Sequence, residues 1–121
     1  MPFEYLRETL QALAAPADQQ LARFPDLAVK ADELALDFDD ALILVHQAGA
    51  TTVSAEQRAR LDDVHALLAA MSGEANEALW TERALYENAQ WGAVRRAAAR
   101  ALQAFGWPAE PPPPTRNVYV Q

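Results

Sequence analysis

The residues best suited to chemistry in this chain are acids and histidines spaced three positions apart. Asp62 and His65 have the spacing with which helical bundles hold a metal ion, because both side chains then project from one face of a helix. Di-iron bundles need such a pair on two helices, but the residue three positions before His46 is Ile43. The pattern therefore occurs once, and an ordinary partly buried histidine is the simpler interpretation of His65.

Two further pairs of acids, Asp37 with Asp40 and Glu74 with Glu77, also stand three residues apart. They are superficially similar to the paired acids with which all-α nucleotide pyrophosphohydrolases hold Mg²⁺ against phosphates. The order and identity of the acids differ from that pattern, and no lysine cluster accompanies them. A solvated acidic helix face explains these residues better. The alternative function is therefore a small helical metal-dependent hydrolase that uses Asp37, Asp40, Asp62 and His65.

Other common catalytic arrangements are missing from the sequence. The chain has no cysteine, which excludes disulfides and cysteine-ligated zinc or iron–sulfur centres. Neither histidine accompanies a Gly-x-Ser-x-Gly motif, and four scattered glycines cannot form a phosphate-binding loop. We therefore expect no catalytic residue, no metal and no cofactor.

The charge of the chain is concentrated in its first half. Residues 1–65 contain twelve acids and five bases, a net charge of −7, whereas residues 66–121 contain five of each. A negative field disfavours nucleic acid and anionic membranes and attracts basic partners. No apolar run is long enough to span a membrane, and the start lacks the basic and apolar regions of a signal peptide. We expect a cytoplasmic protein.

One long helix is predicted to carry most of this charge, from Pro25 to Gly49. Proline suits the first helical turn and glycine suits the left-handed position after the last turn. At 100° per residue, the core face of this helix consists of Leu27, Ala31, Leu34, Phe38, Ala41, Val45 and Ala48. We expect this helix to be the central strut of the fold.

Shorter helices are predicted on both sides of it. They run from Pro2 to near Ala15, from about Ala17 to Phe24, from Ser54 to Met71, and from Asn88 to Gly106, with short turns between the last two. A capping box of Ser54 and Gln57 begins the third of these. Three arginines, Arg95, Arg96 and Arg100, are placed on the outer side of the last helix, where they suit its dipole.

The fold class is therefore all-α, a single small helical bundle of four to six helices around one long central helix. Residues 1–107 form this domain, and residues 108–121 form a proline-rich extended C-terminal tail. Near its end the tail carries the apolar residues Val118, Tyr119 and Val120, which predicts that it docks on another surface.

A second apolar row on the long helix is the best candidate for function. Val29, Leu36 and Ile43 form this row, which is bordered by acids on both sides, the arrangement of an interface with an apolar centre and a charged rim. The competing interpretation is that another part of the chain covers the row. Trp80 adds an aromatic residue outside the regular helices. The predicted partner-binding residues are Val29, Asp32, Glu33, Leu36, Asp39, Asp40, Ile43 and Trp80.

These features predict a non-enzymatic acidic module that binds a basic protein. Immunity proteins that neutralise a basic toxin, and secretion chaperones, are small acidic helical proteins of this general kind. The comparison rests on size, charge and helix content and on no motif. A homodimer through the Val29, Leu36 and Ile43 row is a further alternative.

Overall fold

The computed structural model describes residues 2–22, 30–48 and 53–109, and these residues form six α-helices and one 3₁₀ segment. The helices are α1 (Pro2–Ala14), α2 (Ala17–Ala22), α3 (Lys30–Ala48), α4 (Ala55–Ala70), α5 (Glu82–Glu87) and α6 (Ala89–Phe105), with the 3₁₀ segment (Glu74–Trp80) between α4 and α5. The part of the chain that is described contains no strand. The predicted all-α bundle is confirmed.

Helix α1 lies between α3 and α6, and α4 packs on the other side of α6. Three leucines of α1, Leu6, Leu10 and Leu13, are fully buried because both neighbouring helices cover them. Helix α3 is the longest described helix, as predicted, but it packs mainly against α1 and lies at the side of the bundle. Its predicted start at Pro25 and its core residue Leu27 lie outside the described residues.

The core side of α3 follows the predicted spacing. Leu34, Phe38 and Val45 are at most 2% exposed, and Ala31 and Ala41 are buried beside them. Ala48, also assigned to this face, is exposed instead, because it belongs to the last turn of the helix, beyond the contact with α1. The opposite side of α3 is therefore free of the core.

Local capping signals account for where the later helices begin and end. Ser54 Oγ accepts a hydrogen bond from the Gln57 backbone N–H at 3.1 Å, and Gln57 Oε1 accepts one from the Ser54 N–H at 2.8 Å. This is the predicted capping box. Asn88 caps α6 through its Oδ1, which accepts a hydrogen bond from the Gln90 backbone N–H at 2.8 Å. Gly106 ends α6 at φ +73°, the left-handed conformation that favours glycine.

Arg95 corrects one sequence-based prediction. Its Nε donates to the Ala15 carbonyl at 3.1 Å, and its Nη2 donates to Gln20 Oε1 at 3.0 Å and to the Leu85 carbonyl. The predicted outer position of Arg95 is wrong, because it lies one helical turn after the fully buried Trp91 and thus on the inner side of α6. Arg96 and Arg100 are exposed, as predicted.

The contacts of Arg95 join the C-terminal ends of two helices. Ala15 directly follows α1, and Leu85 lies in the last turn of α5, so both carbonyls belong to the negative end of a helix dipole. Gln20 completes the arrangement, because its Nε2 donates to the Ala12 and Leu13 carbonyls at 3.1 Å each. Burial lowers the pKa of the Arg95 guanidinium below its usual range.

Candidate binding groove beside helix α3

The side of α3 that faces away from the core is apolar at its centre. Leu36 is 54% exposed, Ile43 is 53% exposed and Leu44 is 41% exposed, and these are three of the four large apolar side chains that stand out as exposed in the described residues. At 100° per residue, Leu36 and Ile43 lie opposite Phe38 and Val45, which pack into the core. Two residues of the predicted row are therefore accessible, and none of the described helices covers them.

Acidic residues border Leu36 and Ile43 on both sides. Asp32 and Asp39 lie along the edge nearer α4, whereas Glu33 and Asp40 lie along the opposite edge. Asp39 and Asp40 are exposed, and Asp32 and Glu33 are half-buried. We refer to Leu36, Ile43 and Leu44 together with these four acids as the outer face of α3. This face therefore combines exposed apolar side chains with negatively charged ones.

An open groove of about 610 Å³ adjoins the outer face, and we call it the Trp80 groove. One wall belongs to α3 and the other to the end of α4 and the 3₁₀ segment. The lining residues are Asp32, Ala35, Leu36 and Asp39 from α3, and Ser72, Gly73, Glu77 and Trp80 from the opposite wall. The groove exists because α3 packs mainly on α1 while α4 packs mainly on α6.

The Trp80 side chain is fixed in the groove wall by two contacts. Its indole Nε1 donates to the Met71 carbonyl at 2.7 Å, and its ring meets that of Trp91 edge-on, with centroids 5.4 Å apart and an interplanar angle of 87°. Trp91 is itself fully buried and donates to the Leu79 carbonyl at 2.6 Å. The half-buried Trp80 ring is thus held in one orientation by the core behind it.

The chain reversal between α4 and the 3₁₀ segment depends on Gly73. Its φ of +104° lies where side chains are strongly disfavoured, so glycine is required by conformation rather than by space. Asn76 closes the turn, because its Nδ2 donates to the Ser72 carbonyl at 3.0 Å and to the Ala70 carbonyl at 3.3 Å. This turn places Glu77 and Trp80 opposite α3.

A smaller cavity of about 100 Å³ lies further along the same side of α3. Its lining includes Val45 and His46 from α3, and Arg58, Leu61 and Asp62 from α4. His65, which also lines this cavity, has its Nδ1 3.7 Å from Oδ1 of Asp39 in the Trp80 groove. This contact connects α3 and α4 at the point between the two concavities.

The structure brings four of the predicted binding residues together around the Trp80 groove. These are Asp32, Leu36, Asp39 and Trp80. Glu33, Asp40 and Ile43 lie on α3 outside the groove lining, with Ile43 on the outer face between the two concavities. Val29 lies outside the described residues.

Sequence reasoning missed Ser72, Gly73 and Glu77 as groove residues. In the sequence, Ser72 and Gly73 stand directly after the helix predicted from Ser54 to Met71, and the spacing marks Glu77 only as half of an acidic pair. The spacing of Glu77 and Trp80 could have identified Glu77 as a groove residue. The two residues stand three positions apart, which is one turn of a 3₁₀ helix, so their side chains lie on the same side of the segment.

The residues of the hydrolase alternative point in different directions. Asp37 accepts a hydrogen bond from the Tyr5 hydroxyl of α1 at 3.4 Å, whereas Asp62 and His65 line the small cavity on the α4 side. Over the described residues, no three side chains of His, Asp, Glu or Cys are arranged to hold a metal ion. The four residues therefore do not form one site.

Comparison of the chain with family models, with curated proteins and with solved structures found no match. None of the helices described combines the length and the apolar character that crossing a membrane requires. The outer face of α3 and the Trp80 groove are therefore the features from which a function can be proposed.

Proposed function

We propose that this chain is a non-enzymatic binding protein that docks a basic protein partner on the outer face of α3. The observation that carries the proposal is the exposure of Leu36 and Ile43, each more than half accessible, in the centre of an acidic border. Exposed apolar side chains of this size are favoured at interfaces, where their burial contributes affinity. The acids then select the charge of the partner.

A second copy of the chain fits this face less well than a basic partner does. In a symmetric dimer the same patch meets itself, so Asp32, Glu33, Asp39 and Asp40 would face their own counterparts. Like charges placed together oppose association, and the whole chain already carries a net charge of −7. A cationic partner removes this repulsion and gains attraction from the same residues.

The proposed role is to neutralise or accompany a basic protein, as immunity proteins and secretion chaperones do for theirs. Small size, an all-α fold and the acidic face support this role. The hydrolase alternative has no comparable geometric support, because Asp37 is engaged by Tyr5 on another side of α3.

The proposal is tested by titrating the full chain with a synthetic amphipathic helix that has leucines on one face and arginines beside them. A matched peptide with glutamates in place of the arginines is the control. We expect saturable binding of the arginine peptide, measured by calorimetry, and loss of that binding in Ile43→Asp. Equal binding of the two peptides, or no binding of either, would contradict the proposal.

A further inference from the structure

The Trp80 groove has a composition suited to one kind of side chain. Its two walls supply carboxylates, Asp32 and Asp39 from α3 and Glu77 from the 3₁₀ segment. The same two walls also carry the apolar side chains of Leu36 and Trp80, so the groove combines apolar surface with negative charge. Such a groove fits a cation carried on a long apolar stem.

The carboxylates of the groove are not neutralised by the protein itself. Among the side chains that the structure describes, no lysine or arginine forms an ion pair with Asp32, Asp39 or Glu77. Within the same described residues, the contact of Asp39 with His65, at 3.7 Å, is the one ion-pair geometry that involves any of the three. Arg60 pairs with Asp63, Arg83 pairs with Glu87, and Arg95 donates to Ala15, Gln20 and Leu85. The three carboxylates are therefore available to a cation from another molecule.

We propose that the Trp80 groove receives an arginine side chain from the basic partner that docks on the outer face of α3. This inference rests on the proposed function and identifies the residue type that the partner inserts. A planar guanidinium stacks on an indole ring and binds a carboxylate through two parallel hydrogen bonds, which a lysine ammonium cannot do. Trp80 supplies the ring, and Asp39 and Glu77 supply exposed carboxylates on opposite walls.

Two features of the structure favour this occupant. The groove shares Leu36 with the outer face, so a segment that packs on the outer face has the groove directly beside it. Trp80 is already ordered by Met71 and Trp91, so little side-chain entropy is lost when a guanidinium stacks on it.

The test uses the full chain and three synthetic peptides that share the leucine face and differ at one position, which is arginine, lysine or citrulline. Citrulline keeps the shape of arginine and removes its charge. Binding is followed by the NMR resonance of the Trp80 indole N–H and by the dissociation constant. Trp107 packs against Phe3 and Phe105 outside the groove, so its indole N–H is an internal control.

The arginine peptide is expected to shift the Trp80 resonance, to leave the Trp107 resonance in place, and to bind at least about fivefold more tightly than the lysine or citrulline peptide. Glu77→Gln should weaken the arginine peptide by at least about fivefold. Glu82→Gln, which neutralises an exposed acid outside the groove lining, should change it by less than about twofold.

Failure of this inference is distinguishable from failure of the proposed function. If the arginine peptide binds, Ile43→Asp abolishes the binding and the Trp80 resonance does not move, the outer face binds the peptide and the groove inference is overturned. Equal affinities of the arginine and lysine peptides would also overturn it. If none of the peptides binds, both proposals fail together.

Discussion

The indole N–H of Trp80 donates to the backbone carbonyl of Met71 at 2.7 Å. Met71 is fully buried at the end of α4, so this bond attaches the groove wall to the core of the bundle. The geometry of the Trp80 groove thus depends on the same interactions that hold the 3₁₀ segment in place.

Replacing Trp80 with phenylalanine should lower stability by about 1 kcal/mol, the usual net value of one hydrogen bond, because the Met71 carbonyl loses its indole donor. The edge-on contact with Trp91 is kept by the phenyl ring. Chemical denaturation measures the change. Tyr86→Phe is the control, since Tyr86 is 59% exposed, and it should change stability by less than about 0.5 kcal/mol. Similar effects in the two variants would show that the Trp80 hydrogen bond contributes little.

Replacing Arg95 with methionine should be far more costly than replacing Arg96 with methionine. Methionine keeps much of the apolar stem but leaves the Ala15 and Leu85 carbonyls and the Gln20 amide oxygen without their donor. We expect a loss of about 2–4 kcal/mol for Arg95→Met, and less than about 0.5 kcal/mol for Arg96→Met. Denaturant titration of both variants checks this. Equal stabilities would mean that Arg95 does not join α1 and α5.

Removal of the Ser54 side chain should weaken the start of α4. Ser54→Ala loses the acceptor for the Gln57 N–H and should destabilise the fold by about 1 kcal/mol. Ser54→Asp keeps a capping oxygen and should retain nearly all of the stability. Thermal melting of the pair provides the measurement. An equal loss of stability in both variants would show that the Ser54 hydroxyl does not stabilise the fold as a helix cap.

Association with a basic partner should slow as the salt concentration rises. Attraction between exposed charges is screened beyond about 8 Å at physiological ionic strength, so steering by the acidic rim weakens. Neutralising Asp32, Asp39 and Asp40 together as asparagines should lower the on-rate for the arginine peptide in the same way. Stopped-flow measurements at low and high salt test both statements. If the on-rates do not depend on salt, these acids do not steer the partner and serve only to keep the protein soluble.

The helical elements and the core could largely be predicted from the sequence, because both follow from local rules. Apolar spacing identified the buried side of α3, and the capping signals at Ser54, Asn88 and Gly106 marked helix ends. The exposure of Leu36 could not be decided in this way. Periodicity shows that a row is apolar, but the packing of other helices decides whether it is covered.

Arg95 and Glu77 show what sequence reasoning lacked. Arg95 stands four residues after Trp91, a spacing that places it on the inner side of α6, whereas its charge favours an outer position. Its partners at Ala15, Gln20 and Leu85 are distant in the chain or belong to other elements, so no local pattern marks them. Glu77 enters the groove only because the turn at Gly73 directs the 3₁₀ segment toward α3.

Leu36→Asp separates binding from folding at the outer face of α3. Leu36 is 54% exposed, so an aspartate there is solvated and should change stability by less than about 0.5 kcal/mol. Leu34→Asp, at a side chain 1% exposed, should lose several kcal/mol because a charge is then buried without a partner. An unchanged stability of Leu36→Asp beside a large loss in Leu34→Asp would show that the Leu36 variant is folded when its binding is measured.

The decisive measurement is the calorimetric affinity of folded Leu36→Asp for the arginine-bearing amphipathic peptide. Leu36 lies at the centre of the proposed interface and also lines the Trp80 groove. We expect the variant to lose at least about tenfold in affinity, since truncation of a central apolar contact and the new charge both act against docking. An affinity equal to that of the unmodified chain would contradict the claim that this face is the binding surface.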